Sequence, residues 1–108
     1  MRKVAEVDLP ERLAALALRH GFEVQAVSVR SQRSRWGSCS ATGRISLNWR
    51  LIQFPDSVVE YVLLHELAHL RHMNHSRQFW SEVARLCPDY RTARQWLRRF
   101  RHHSTSDE

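Results

Sequence analysis

The sequence is poor in cysteine, glycine, proline and lysine. Its 108 residues include two Cys, three Gly, three Pro and a single Lys. Cys39 and Cys87 have no second cysteine at metal or redox spacing, which excludes a disulfide scaffold and a cysteine-pair motif. The first residues, MRKVAEVDLPER, contain no apolar run that would act as a secretory signal. We therefore expect a cytoplasmic protein in which both thiols are reduced.

Long apolar runs are also missing. The longest apolar stretch runs from Val58 to Leu70 and is interrupted by two glutamates and two histidines: Glu60, His65, Glu66 and His69. A bilayer span needs about 20 predominantly apolar residues, so no membrane partner is expected. With 43% hydrophobic residues, the chain can form one core but not two. We expect a single domain over residues 1–108, with a core from about 8 to 101 and loose ends.

Positive charge is present in excess. Seventeen Lys and Arg residues, sixteen of them Arg, stand against eleven Asp and Glu residues, and the formal net charge is +6. Such an excess favours anionic partners without deciding the fold. Arginines lie around two tryptophans in one part of the chain: Arg30, Arg33, Arg35, Trp36, Arg44, Trp49 and Arg50. Arginines interleaved with aromatic rings can hold phosphates and stack bases, which makes nucleic acid a candidate partner. A solvated basic strand face with a tryptophan packed in the core is the interpretation that we favour.

Capping residues and hydrophobic spacing predict the first half of a small α+β domain. Asp8 as N-cap and Pro10 in the first turn predict a helix that ends at Gly21. Alternating apolar residues predict a strand with a bulge or a change of face over Phe22 to Arg30. The same alternation predicts a second strand over Arg44 to Trp49.

The second half of the chain is predicted to be helical. Helices are predicted from Pro55 to about His72, from Ser76 to Cys87, and from Asp89 to Phe100. The second predicted strand is expected to form a hairpin with residues 33–36. The order is helix, strands and three helices, which predicts an α+β fold with a small, mostly antiparallel sheet.

Residues 65–69 read His-Glu-Leu-Ala-His, which is the H-E-x-x-H spacing. Residues i and i+4 of a helix lie on one face, so His65 and His69 can bind one Zn²⁺ at about 2.0–2.1 Å each. Glu66 then lies beside the metal, where a carboxylate can take a proton from a water that the metal activates. The motif lies inside a predicted amphipathic helix with its own start signal, which favours a catalytic zinc over a chance pair of histidines.

A catalytic zinc needs a third protein ligand and an open fourth position. His72 would lie about 10 Å from His65 along the helix axis, at about 1.5 Å per residue, which is too far for one ion. Glu82 would lie on the next helix. The segment from His69 to Glu82 is short for one helix to end and for the next helix to turn and pack against it. His75 follows a helix break at Asn74 and has the third-ligand spacing of the metzincin motif. His75 is therefore the favoured third ligand, with Glu82 and His72 as alternatives.

Five separate blocks of the sequence then point to one family. In order they are RWGSC at 35–39, GRISLNWRL at 43–51, YVLLHELAHL at 61–70, NHSRQFW at 74–80 and CPDY at 87–90. Together they resemble the YgjP-like metallopeptidase domain family, which is related to the SprT-like and WLM-type zincins. The resemblance implies a minimal zincin-like domain, one zinc ion held by His65, His69 and His75, and Glu66 as general base.

We therefore expect a zinc-dependent hydrolase and, within that class, a metallopeptidase acting on a peptide or protein. In zincins the substrate chain adds to a free sheet edge, which we expect here at Arg44 to Asn48. Two other functions stay open: a zinc-containing nucleic-acid-binding module, and a zinc hydrolase that acts on a nucleotide phosphoanhydride. Cys39 is expected to be a turn residue rather than a metal ligand. Tyr61 is expected to be a buried packing residue rather than a donor to the reacting carbonyl.

Overall fold

Residues 2–31 and 35–100 are described by the computed structural model. They form four α-helices, three short strands and one 3-10 helix, which in chain order are α1 (Arg2–His20), β1 (Ala26–Arg30), β2 (Gly37–Cys39), β3 (Arg44–Asn48), the 3-10 helix (Trp49–Gln53), α2 (Asp56–Ala68), α3 (Arg77–Leu86) and α4 (Tyr90–Phe100). This order confirms the α+β class. Arg33 and the tail from His102 onward lie outside the described residues.

Helix α1 begins earlier than its capping pattern predicts. Its start at Arg2 contradicts the predicted N-cap at Asp8. Ala5 is fully buried, so the apolar stripe that packs on the core extends beyond the expected cap. Pro10 therefore lies inside the helix, where its missing N–H removes one backbone hydrogen bond. The predicted stop at Gly21 is confirmed, because its φ of 75° is the left-handed conformation that ends helices.

The sheet is mixed rather than mostly antiparallel. Its strand order is β1-β3-β2, with β1 parallel to β3 and β2 antiparallel to β3. After β1 the chain runs back as β2 and then returns as β3, which enters the sheet between the two. The strand that pairs with β3 as a hairpin is Gly37–Cys39, and the carbonyl of Trp36, at the end of the predicted range 33–36, accepts from the Asn48 N–H over 2.9 Å. Residues 33 and 34 of that range lie outside the described residues.

The position of β3 overturns the predicted substrate edge. Arg44–Asn48 is the central strand and pairs on both sides, so it has no free edge. Among the described residues, the strand with an open edge next to α2 is β2, because β2 pairs with β3 on one side and packs on α2. The order of strands along the chain does not determine their order in the sheet, which is why the sequence pattern misplaced this edge.

Helix α2 is the centre of the core. Ten of its thirteen residues are buried, so it is enclosed by its neighbours rather than lying on the surface. It contacts α1 and β2 as well as α3 and α4. The helix ends at Ala68, before the predicted end at His72, and Leu70 N–H donates to the Leu67 carbonyl over 3.0 Å in a tightened turn. This early end lets the chain fold back toward the helix before α3 begins.

Within the residues that the structure describes, none of the helices combines the length and apolar character needed to cross a bilayer.

Candidate metal centre

Three histidines meet at the C-terminal end of α2. His65 comes from the helix, His69 from its C-cap and His75 from the loop before α3. One ring nitrogen of each lies within 4.8 Å of the others. The Nε2 atoms of His69 and His75 are 3.1 Å apart. Two nitrogens bound to one tetrahedral zinc at about 2.0–2.1 Å lie roughly 3.3 Å apart, so this pair already has the spacing of a shared ligand set.

Hydrogen bonds to Nδ1 orient two of these rings. The Nδ1 atom of His65 lies 3.2 Å from the Tyr61 hydroxyl, and the Nδ1 atom of His69 lies 3.0 Å from the His72 carbonyl oxygen. A carbonyl only accepts, so His69 donates from Nδ1 and keeps a lone pair on Nε2. Metal-binding histidines commonly use one nitrogen for such a partner and the other for the ion.

The unpartnered nitrogen of His65 supports a metal at this point. Its Nε2 atom is buried and has no hydrogen-bond partner among the described residues. Burial lowers the pKa of His65 well below its ordinary value, and the charges of His69, His75 and Arg94 lower it further. The ring is therefore neutral at physiological pH and offers a lone pair to a buried site. Neutral imidazoles of this kind suit Zn²⁺ and other late divalent metals, so the residues present fit such an ion.

The site becomes more exposed from His65 to His75. His65 is 1% exposed and His69 is 8% exposed, whereas His75 lies at the surface. His69 and His75 line a cleft that opens to solvent, and His65 lies buried behind them. A cleft of this shape leaves one side of a bound ion accessible, which a catalytic site requires.

Two aromatic residues of α3 stack against the rings of His69 and His75. Phe79 stacks on His69 with ring centroids 4.4 Å apart, and Trp80 stacks on His75 at 5.9 Å. Ser76 accepts a hydrogen bond from the Phe79 N–H over 3.3 Å and so starts α3 directly after His75. The sequence block at 74–80 thus contains His75 of the cluster, the cap residue of α3 and two aromatic residues that stack on the histidines, which explains the spacing of these residues along the chain. Phe79 belongs to the hydrophobic core and Trp80 packs against it.

Glu66 lies beside the histidine cluster in the same cleft. It is 2% exposed and borders a space of about 170 Å³ that is also lined by Arg35, Ser38, Cys39, His69, Met73 and His75. Strand β2 passes directly over its carboxylate. A Cβ atom on Gly37 would lie 3.1 Å from both Cγ and Oε2 of Glu66. Gly37 was not recognised from the sequence as a residue of the site, although a glycine inside a strand often marks such a close approach.

The alternative ligands lie elsewhere. Glu82 accepts hydrogen bonds from Arg71 at 2.6 Å and from Arg85 at 2.8 Å. Its burial alone would raise its pKa, but the hydrogen bonds and charges of Arg85 and Arg71 outweigh that effect and lower it. His72 contributes its main-chain carbonyl to His69, and neither its ring nor Glu82 belongs to the cluster of ligating groups found in the described part of the chain.

Cys39 also lies in the cleft but outside the histidine cluster. Burial, with a contribution from the charge of Glu66, raises the pKa of its thiol to about 11. The thiol is therefore protonated at neutral pH, whereas zinc binds the thiolate. This agrees with the expectation that Cys39 is not a ligand.

Two aromatic residues considered for chemistry are buried instead. Tyr61 is fully buried and its hydroxyl approaches His65 Nδ1, so it faces the back of the ring rather than the open cleft. Trp36 is 2% exposed and packs edge-on against Phe54 at a centroid distance of 4.9 Å. Trp36 therefore belongs to the core, as the favoured interpretation of the arginine-rich segment predicts.

Comparisons with known proteins agree with this fold. The crystal structure of the metallopeptidase zymogen of Pyrococcus abyssi abylysin matches with a TM-score of 0.74 and 22% identity, over 90% of this chain and 99% of that one. That of the metallopeptidase zymogen of Methanocaldococcus jannaschii jannalysin matches with a TM-score of 0.65 and 18% identity, over 83% and 98%. At these identities the likeness shows the fold. No curated protein matches the sequence.

The family comparison is the more specific of these findings. The family model of the YgjP-like metallopeptidase domain matches residues 1–100, which include the histidine cluster, Glu66 and all four helices. The chain belongs to the YgjP-like metallopeptidase domain family.

Proposed function

We propose that this chain is a zinc-dependent peptidase in which His65, His69 and His75 hold one ion and Glu66 is the general base. The observation that carries the proposal is a cluster of three imidazoles, two of which line one open cleft together with a nearly buried carboxylate. Three protein ligands and an open side are typical of catalytic zinc. Membership of a metallopeptidase family supports a peptide or protein as the substrate.

The residues around the ion have separate roles in the proposed reaction. When bound, zinc supplies Lewis acidity, which polarises a carbonyl and lowers the pKa of water. Glu66 accepts a proton from the attacking water on its carboxylate and passes it to the nitrogen of the leaving amine. The Tyr61 hydroxyl accepts a hydrogen bond from Nδ1 of His65, and the His72 carbonyl accepts one from Nδ1 of His69. These bonds leave the Nε2 lone pair of each histidine available to the ion.

Strand β2 supports the proposal by offering a docking edge beside this site. Ser40 N–H donates to the Arg44 carbonyl over 2.9 Å, so Ser40 faces the central strand. Hydrogen-bonded and non-hydrogen-bonded positions alternate along an antiparallel pair, so the N–H and C=O groups of Gly37 and Cys39 point to the open edge. An extended substrate that pairs with them would cross the cleft beside Glu66 by main-chain hydrogen bonds.

Replacing Glu66 with Gln tests the proposed base, because the change keeps the size of the side chain and the three histidines. We expect one zinc per chain by elemental analysis and a loss of peptide hydrolysis of about 10²–10⁴-fold. Glu82→Gln is the matched control, since it removes a carboxylate that is bound to Arg71 and Arg85. Hydrolysis by Glu66→Gln within about tenfold of wild type would show that Glu66 is not the base.

Replacing the histidines one at a time tests the ligand set. His75→Ala should lose zinc, as should the same change at His65 or His69. His72→Ala should keep it, because His72 contributes a main-chain carbonyl that alanine retains. Full zinc retention by His75→Ala would overturn the assignment.

A nucleic-acid-binding function is the second candidate. The observation in its favour is a basic groove on the outer face of the sheet, with Arg30, Arg35 and Arg44 in its lining. The burial of Trp36 removes one of the two tryptophan rings that base stacking would use. Hydrolysis assays should therefore compare peptides with a nucleoside triphosphate, which also tests the phosphoanhydride reaction. We also propose a cytoplasmic location, in which Cys39 and Cys87 would both stay reduced.

A further inference from the structure

A row of serines crosses the outer face of the sheet, on the side away from α2. Ser28 and Ser38 are both paired with Ser46 of the central strand, so the three lie side by side in register. The hydroxyl oxygens of Ser28 and Ser46 are 3.1 Å apart. Their neighbours in β3, Ile45 and Leu47, are buried on the opposite face, so the serines point outward. This row forms the floor of a shallow groove of about 390 Å³.

Arginines line both ends of this groove. Arg44 begins the central strand and Arg30 ends β1, so the two lie on opposite sides of the serine row, two residues along the strands from it. Arg35 precedes β2 near the Arg30 end, and all three arginines are exposed. Arg30 also donates from Nε to the Ser28 hydroxyl over 3.3 Å. No Asp or Glu is among the described residues that line the groove, so its charge is of one sign. Hydroxyl groups between guanidinium groups are a chemistry that binds carboxylates or phosphates.

The groove adjoins the metal centre. Arg35, Ser38 and Cys39 line both the groove and the cleft that contains Glu66. Successive side chains of a β-strand point to opposite faces of its sheet. A substrate strand added to β2 would therefore direct alternate side chains toward the histidines and the intervening ones toward the arginine groove.

We propose that this groove is a specificity subsite that binds Asp and Glu side chains of the substrate at alternate positions around the cleaved bond. The inference rests on the proposed peptidase function, because it assigns the groove to the substrate of that site. The charge of the groove and its continuity with the cleft favour an acidic peptide. The groove contains no aromatic side chain among its described lining residues, which disfavours the base stacking of a single-stranded nucleic acid.

Binding to the zinc-loaded Glu66→Gln protein tests the subsite without turnover. The probes are two labelled peptides of equal length, one alternating Glu with Ala and the other alternating Lys with Ala, and a single-stranded oligonucleotide of the same charge as the acidic peptide. We expect the acidic peptide to bind most tightly and to weaken as salt rises. Adding Arg30→Gln and Arg44→Gln should weaken it by about two- to fivefold per arginine. Adding Arg98→Gln and Arg99→Gln, exposed arginines on α4, removes the same charge and should change little.

Three results would overturn the subsite. They are equal binding of the acidic and basic peptides, an equal loss in the two double-arginine variants, and tighter binding of the oligonucleotide, which would make the groove a phosphodiester site. A second readout is cleavage of a randomised peptide mixture by the zinc-loaded wild type, where acidic residues should be enriched at every second position from the cut. Cleavage without such a period would also contradict the subsite. Absence of any cleavage, with acidic binding intact, would overturn the proposed reaction and leave the binding site standing.

Discussion

Gly37→Ala tests how closely β2 controls the proposed base. A Cβ atom at this position would lie 3.1 Å from Cγ and Oε2 of Glu66 and 3.3 Å from Cδ. Carbon atoms pack best at about 3.5–4.0 Å, so Glu66 or the strand must give way. Glu66 is 2% exposed and borders the cleft of about 170 Å³, so its carboxylate can be pushed toward that space. The added methyl group is therefore expected to displace the carboxylate by a few tenths of an ångström.

The size of the effect follows from that displacement. Overpacking a core costs about 1–3 kcal/mol, while replacing Gly by Ala recovers about 0.4–1 kcal/mol by restricting the unfolded chain. The free energy of unfolding should therefore fall by about 1–2 kcal/mol. Misplacing a catalytic group by about 1 Å can cost about 10²-fold, so a smaller shift of Glu66 should lower kcat roughly tenfold. Zinc content should not change, because the atoms nearest to the added methyl group belong to Glu66 and not to the three histidines.

Gly21→Ala is the matched control for this experiment. Gly21 has a φ of 75° and a Cβ there would meet no atom within 4 Å. Alanine should cost about 1–2 kcal/mol of left-handed strain without reaching the site. Thermal unfolding, zinc analysis and peptide hydrolysis are measured on both variants. Gly21→Ala should lose stability alone, and Gly37→Ala should lose stability and kcat. Full kcat per bound zinc in Gly37→Ala would refute the idea that β2 positions Glu66.

Three further predictions concern the support of the site. Tyr61→Phe should weaken zinc affinity by about 10–100-fold in a chelator competition, because His65 loses the partner of its Nδ1 atom. The variant should still fold when it is saturated with zinc. Unchanged affinity would show that the hydroxyl does not orient the ring. Arg71→Gln should lower the free energy of unfolding by about 1 kcal/mol, since Arg71 contacts both the Phe22 ring and Glu82. Arg85→Gln removes only a contact with Glu82 and should lower it by less than about 0.5 kcal/mol. Equal losses in the two variants would contradict this prediction. The pKa of His65 is lowered on folding, so the unfolded chain binds the extra proton. The zinc-free protein should therefore lose stability as pH falls below about 6.5, and a melting temperature that rises from pH 7 to 5 would contradict the assignment.

The motif-bearing helix is predictable from sequence because its signals are local. Pro55 precedes its first residue, and the apolar spacing of α2 continues to the H-E-x-x-H motif. The end of the helix is not predictable in this way. The apolar pattern continues through Leu70, but the helix stops at Ala68 because the next residues turn back to bring His75 beside His69. That requirement comes from contacts across the site and has no local signal.

The sheet shows the same limit. Alternation predicts a strand over Arg44 to Trp49, one residue longer than β3, but it contains no information on which strands pair on either side of it. Gly37 and Tyr61 were also not recognised as parts of the site, because their roles depend on the distances to Glu66 and His65. The third ligand could be favoured from the helix break and spacing at His75, since those features constrain where the chain can return.

Diffraction from zinc-loaded crystals at the zinc absorption edge would locate the bound ion. We predict one anomalous peak about 2.0–2.1 Å from Nε2 of His65, His69 and His75, with Glu66 beside it and its fourth side open to the cleft. A peak coordinated by Glu82 or Cys39, or a fourth protein ligand that closes the site, would contradict it.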